Sequence, residues 1–119
     1  MKHPPRISVV VTARASWARV QTVVEALRVA EARHLIHLDV IWAGSAVLPR
    51  YGDVSLPGDE RIYSVIDGEN LETMATETGL LTMRLAASFA RTTPDLVVTV
   101  ADRHETLATA IAASYQGIR

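Results

Sequence analysis

ISVVVTARASWARVQTVVEALR, Ile7 to Arg28, passes from a strand to a helix with almost no loop between them. Ile7 to Thr12 is an almost wholly β-branched run, the pattern of a strand buried on both faces rather than one alternating between core and water. From Trp17 to about Arg33 the spacing changes: Val20, Val23, Val24, Leu27 and Ala30 recur at helical intervals, while Arg19, Arg28 and Arg33 fall mostly on other faces. A doubly buried strand followed by an amphipathic helix is the repeating unit of a parallel sheet.

Leu96 to Val100 (LVVTV) repeats the first strand closely, and Ile36 to Ala43 (IHLDVIWA) is a partly alternating strand with Ile36, Leu38, Val40 and Trp42 able to share a face. Arg61 to Ile66 is a shorter fourth candidate. A long helix is expected over Leu71 to Arg91, carrying Met74, Leu81, Leu85 and Phe89, with Gly79 a weak point or a close-contact site. Thr93-Pro94-Asp95 stops that helix before the last strand. A third helix follows, with Leu107, Ala108, Ile111, Ala112 and Tyr115 as its apolar stripe. Arg50 to Glu60 is polar and turn-rich and reads as a mobile loop at one edge of the sheet. The order gives an α/β fold: an open parallel Rossmann-like sheet with helices on both faces. Ending at Arg119, just after a turn at Gly117, the pattern reads as part of something larger, with a sheet edge still to be paired.

With 119 residues the chain is sized for one core. Its 12 basic and 13 acidic side chains nearly balance, which gives no electrostatic footprint for nucleic acid or an anionic membrane. Cysteine is absent, so disulfides, thiolate metal sites and a cysteine nucleophile are excluded within the chain. The apolar run after Met1 is too short for a signal sequence and no stretch approaches a membrane span, so the expected location is the cytoplasm.

In open α/β sheets ligands bind beyond the carboxyl ends of the strands. Two such ends carry the informative residues, Thr12-Ala13-Arg14-Ala15-Ser16 and Ala101-Asp102-Arg103-His104-Glu105. Free N–H groups at a helix start favour phosphate, and an arginine at each place adds charge-assisted contacts to a diphosphate. The same residues also read as helix caps: Ser16 as N-cap of the first helix, Asp102 as N-cap of the last, and Asp102 with Glu105 as a capping box. Spacing leaves both readings open. No GxGxxG, GxxxxGK[ST] or GxSxG motif is present, which takes support from dinucleotide, P-loop and serine-hydrolase chemistry. His3, His34, His37 and His104 form no i,i+4 pair and have no carboxylate cluster near them in sequence, so no metal site is expected. A flavodoxin-like or response-regulator domain needs an acidic cluster or flavin loop after the first strand, and Ala13 to Ser16 supplies neither.

These strand ends resemble the start of the hydrolysing UDP-N-acetylglucosamine 2-epimerases. In that family the first strand runs into Thr-Arg-Ala-Asp-Tyr, here Ala13-Arg14-Ala15-Ser16-Trp17. The fourth reads Pro-Asp-Leu-Val-Val, then Gly-Asp-Arg and an acid two places on, here Pro94 to Val98 followed by Ala101-Asp102-Arg103-His104-Glu105. Leu107 to Ala113 fits as well, and Ala43-Gly44-Ser45 and Tyr51-Gly52 lie where the family has a glycine loop and an aromatic-glycine pair. The non-hydrolysing relatives usually carry Asp-Thr after this strand and Arg-Pro-Glu at the first turn. The chain departs from the hydrolysing pattern at Ser16, Trp17, Ala18 and Ala101.

The resemblance implies the N-terminal lobe of a two-domain, glycosyltransferase-B-like enzyme, with residues 1–119 a partial first domain and the C-terminal domain missing. It implies elimination of UDP from UDP-N-acetylglucosamine through a 2-acetamidoglucal, then hydration to N-acetylmannosamine, with no cofactor. Carried over, Asp102 is the catalytic carboxylate, Arg14 and Arg103 hold the UDP leaving group, and Glu105 supports by capping its helix and orienting Arg103. The other carboxylates and the main uridine pocket lie downstream in the family, so the chain alone is expected to be inactive. The implied partners are a UDP-sugar and either a second copy of the chain or a complementary C-terminal half. A diverged module that binds nucleotide sugar or a partner chain without catalysis is the alternative.

Overall fold

The computed structural model describes residues 3–49, 52–66, 68 and 70–119. Four parallel strands, β1 (Arg6–Val11), β2 (His37–Trp42), β3 (Glu60–Arg61) and β4 (Leu96–Thr99), lie in the order β3-β2-β1-β4. Helices α1 (Arg14–Ala32), α2 (Leu71–Thr92) and α3 (His104–Ser114) follow β1, β3 and β4 respectively. The fold is thus α/β and Rossmann-like, as the alternation of elements requires.

Because strand side chains alternate faces, β1 builds two cores at once. Val9 and Val11 pack with Val40 and Trp42 of β2 and with Val20 and Val24 of α1 on one side. Val10 and Ile41 point the other way, into a core closed by Leu81, Leu85 and Phe89 of α2 and Ala108, Ala112 and Ala113 of α3. Each large side chain in these cores contributes about 1.5–3 kcal/mol by leaving water. Small alanines on α3 let it lie close against α2. The expected stripes hold in part: Val20, Val24, Leu81, Leu85, Phe89, Ala108 and Ala112 are buried, whereas Val23, Met74, Leu107 and Tyr115 are exposed.

Three expectations need correction. The strand expected over Arg61 to Ile66 is only Glu60–Arg61, because β2 itself ends at Trp42. Ile62 donates its N–H to the Trp42 carbonyl at 2.8 Å, and beyond it there is no neighbouring strand to pair with among the described residues. Gly79 makes no close contact, since a Cβ there would meet nothing within 4 Å. The polar loop is anchored over its described part: Asp59 accepts hydrogen bonds from the Leu56 N–H at 2.8 Å and the Trp42 indole at 2.9 Å, and Arg28 approaches it at 3.4 Å. Arg50 and Tyr51, and with Tyr51 the aromatic-glycine pair, lie outside the described residues.

At the α2 terminus the chain turns on Thr93 in the left-handed region (φ 48), and Pro94 prevents further helix. Arg6 and Asp95 then tie the start of β1 to that of β4 by reciprocal bonds: the Arg6 N–H reaches the Asp95 carboxylate and the Asp95 N–H the Arg6 carbonyl, both at 2.8 Å. β4 is the last strand on its side of the sheet, and its Val97 N–H is taken up by the Arg119 carbonyl.

Candidate active site

The sheet order reverses direction between β1 and β4. Chain 1 to 2 to 3 runs outward on one side, and the fourth strand returns to the other side of β1. With α1 on one face and α2 and α3 on the other, the loops leaving the carboxyl ends of β1 and β4 part in opposite directions, the arrangement at which open α/β sheets bind ligands. Both sequence-predicted motifs emerge there, at a single rim.

At the β1 end, Thr12 is buried, Ala13 is extended (φ −156) and α1 begins at Arg14. Ser16 does not cap the helix, contrary to the capping expectation. It sits inside the first turn, buried, while Ala13 occupies the N-cap position with no side-chain bond. The first turn also lacks an acidic residue. Its free N–H groups and the positive end of the helix dipole are therefore uncompensated by side chains. Arg14 is exposed at that terminus, with no ion pair or side-chain hydrogen bond among the described residues.

At the β4 end the capping expectation fails again. The N-cap of α3 is Arg103, extended (φ −100, ψ 177) and without a side-chain bond, so Asp102 stands one residue outside the helix and no Asp102–Glu105 box forms. The reason is spacing: helix entry one residue later moves Asp102 out of reach of the first-turn amides. Asp102 and Arg103 are exposed at the rim, while Glu105 turns inward and is 1% exposed. Its Oε2 lies 3.5 Å from Arg103 Nε and 3.6 Å from His104 Nδ1.

Glu105 is covered from above by the turn after β2. Gly44 opens the short 3-10 helix Gly44–Val47 with φ +55, and a Cβ on it would stand 2.9 Å from the Thr12 carbonyl oxygen and 3.0 Å from Glu105 Cγ. Only glycine gives this backbone both the left-handed conformation and the close approach. Ser45 continues the contact by donating its hydroxyl to the Thr12 carbonyl at 3.3 Å. The turns after β1 and β2 and the start of α3 are thereby locked together.

Beside this junction lies a cleft of about 360 Å³, walled by Ser45, Val65 and Ile66, by Asn70, Thr73, Met74 and Glu77 of α2 and its cap, and by Arg103, His104 and Glu105. Arg103 and Glu105 are thus brought together in one hollow; Arg14 and Asp102 share the rim but are not among its lining residues. A larger hollow of about 730 Å³, around Phe89, Pro94 and Ile118, opens at the opposite edge, where the strands begin. Ligand chemistry in open α/β sheets belongs to the carboxyl edge, so size does not decide between the two.

Sequence reasoning missed Glu77. It is buried on α2 and stands 3.2 Å from His104 Nε2, so His104 has carboxylates on both sides in space though none at metal-ligand spacing in sequence. The signal was present in the helix itself. Glu77, Leu81, Leu85 and Ser88 recur at intervals of four, four and three, which places an acid on the buried stripe.

Residues 28–119 match the family described as UDP-N-acetylglucosamine 2-epimerase. No curated sequence matches the chain. Among solved structures it is similar to the UDP-GlcNAc 2-epimerase from Methanocaldococcus jannaschii, at 19% identity and a TM-score of 0.73, with 95% of this chain and 29% of that one covered. A protein from Listeria monocytogenes described provisionally as a UDP-N-acetylglucosamine 2-epimerase gives 16% identity and a TM-score of 0.78, covering 99% of this chain and 30% of that one. A further UDP-N-acetylglucosamine 2-epimerase gives 20%, 0.69, 99% and 31% for the same quantities. The chain therefore spans under a third of the length of these neighbours. At such identity the structural likeness speaks for the fold, and the match over residues 28–119 speaks for descent: the chain belongs to the UDP-N-acetylglucosamine 2-epimerase family.

Proposed function

We propose that the chain is the N-terminal part of a hydrolysing UDP-N-acetylglucosamine 2-epimerase and supplies the leaving-group side of its active site. One observation carries the reading: the strand order reverses between β1 and β4, so Arg14, Asp102 and Arg103 leave the sheet at the same rim. A sugar diphosphate laid across that rim meets the free amides of α1 and two guanidinium groups.

Those groups stabilise charge where it grows. Elimination takes the C2 proton to a base and breaks the anomeric C–O bond, whose electron pair departs with UDP to leave a 2-acetamidoglucal. Arg14, Arg103 and the helix dipole bind the product diphosphate more strongly than the bound sugar ester. Asp102, exposed and outside the helix, is free to exchange a proton with the sugar. Hydration of the glucal, with hydroxyl to C1 and a proton to the opposite face of C2, gives N-acetylmannosamine. The hydrolysing branch is favoured by Arg103 following Asp102, where non-hydrolysing relatives usually have threonine. Glu105 holds Arg103 from beneath. The remaining acids and the uridine pocket come, on this reading, from a C-terminal half, with self-association of the chain a further partner contact and the cytoplasm the setting. Among the described residues no helix is long and apolar enough to cross a membrane.

The test combines the chain with a complementary C-terminal half and follows UDP release from UDP-N-acetylglucosamine. Release with N-acetylmannosamine as co-product supports the proposal. UDP-N-acetylmannosamine as product moves the chain to the non-hydrolysing branch. A co-folded assembly that binds UDP and releases none makes it a non-catalytic binding module.

A further inference from the structure

Glu77, His104 and Glu105 offer one ligand atom each, all within 4.8 Å of one another, from two helices packed face to face. Their side chains are 11%, 10% and 2% exposed. Two carboxylates this deep are costly unless a cation or donors satisfy them. The protein itself falls short of that among the described residues. Arg103 is 3.5 Å from Glu105 Oε2, but it is more than half exposed and makes no hydrogen bond to it. His104 Nε2 is 3.2 Å from Glu77 Oε2, yet the oxygen lies off the direction in which a ring N–H points. Both His104 Nε2 and Glu105 Oε2 are left without a hydrogen-bond partner.

An imidazolium bridging two carboxylates would align its N–H bonds on the oxygens, and neither is aligned. A metal ion makes a different demand: lone pairs converging on one point. Ligand bonds of about 2.0–2.2 Å in a tetrahedral site set neighbouring ligand atoms roughly 3.3–3.6 Å apart. The 3.2 Å between His104 Nε2 and Glu77 Oε2 is close to that separation, and the ligand atoms of all three residues lie within 4.8 Å of one another, with Glu105 Oε2 standing 3.6 Å from the ring's Nδ1.

We propose that Glu77, His104 and Glu105 form a binding site for a divalent cation of the zinc class. One imidazole and two carboxylates are borderline-hard ligands suited to Zn²⁺ or a neighbouring first-row ion. Three protein ligands leave a coordination position open, and the three residues all line the cleft of about 360 Å³. The ion would neutralise the two buried acids and join α2 to the start of α3. This inference stands on the side-chain cluster and is independent of the proposed nucleotide-sugar reaction.

Calorimetric titration of the metal-free chain with Zn²⁺ tests it, with Co²⁺ absorption reporting the coordination environment. The expected result is one ion per chain, a rise in Tm on addition of Zn²⁺, and a loss of affinity on the order of 100-fold in Glu77→Gln and in His104→Gln. No heat and no change of Tm up to roughly 1 mM Zn²⁺ would overturn the proposal. So would uptake that survives both substitutions, since the ion would then sit elsewhere. The wild-type titration decides the matter even if a variant fails to fold.

Discussion

Replacing Gly44 by alanine strikes the junction that holds the rim together. The residue is at φ +55, where a side chain costs about 1–2 kcal/mol. The new methyl would stand 2.9 Å from the Thr12 carbonyl oxygen and 3.0 Å from Glu105 Cγ. Thr12 is buried backbone at the end of β1 and Glu105 is nearly wholly enclosed, so neither yields freely, and overpacking of this kind costs about 1–3 kcal/mol. The sum, about 2–5 kcal/mol, is a large share of a domain stability of about 5–15 kcal/mol. Urea unfolding reads it through Trp42, which is buried and packed at a tilt against Trp17 with 4.9 Å between ring centroids. With a slope of about 1.5 kcal/mol/M, a loss of about 3 kcal/mol lowers the midpoint by roughly 2 M. Gly79→Ala is the internal control: it lies exposed in α2 with open space around it and gains about 0.5–1 kcal/mol in helix propensity. The two substitutions must move the midpoint in opposite directions. A Gly44→Ala loss below about 1 kcal/mol would refute the steric reasoning.

Elsewhere the structure makes equally definite demands. Asp53 is held down to about pKa 2 from 3.8, first by the Ser55 hydroxyl at 2.6 Å and next by Arg61 at 2.7 Å. Since the folded value is the depressed one, its stabilising effect is present above the unfolded pKa and is lost as the pH falls from 3.8 through about 2. A carbon-detected NMR titration should find that value, and Ser55→Ala should raise it; an Asp53 pKa unchanged by that substitution would contradict the assignment. Asn70→Ala removes a capping box in which Asn70 and Thr73 exchange bonds at 2.9 and 3.0 Å, with an expected cost of about 0.5–2 kcal/mol in thermal unfolding. Phe89→Ala, at the centre of the α2–α3 core, should cost about 3–5 kcal/mol by the same measure, and a loss under about 1 kcal/mol would mean the core is wrongly described.

The fold was legible where side-chain period and burial agree. The unbroken valines of β1, the proline after α2 and the repeated pattern of β4 each specify one local structure. Legibility failed where a long-range partner decides. Nothing in Arg61 to Ile66 announces that β2 stops at Trp42, yet that stop ends β3. Ser16 and Asp102 are good capping residues, but α1 enters three positions before, and α3 one position after, where those caps would put them, because strand pairing and the Gly44 contact set where the backbone turns. For the site, the residues at the two strand ends were readable because topology alone brings adjacent parallel strands to a shared rim. Glu77 was not, because its meeting with His104 depends on how α2 and α3 pack, 27 residues apart in the chain.

On the proposed function, this rim receives the diphosphate of a nucleotide sugar. Amide NMR of the labelled chain, titrated with UDP to roughly 10 mM, tests it most directly even if binding is weak. The account predicts shifts concentrated in residues 12–16 and 101–105, reduced by about tenfold or more in affinity by Arg14→Ala or Arg103→Ala, each of which removes a charge-assisted contact of about 1.5–3 kcal/mol. Shifts confined to the opposite edge, around Thr93 to Asp95 and Gly117 to Arg119, or none at all, would contradict it.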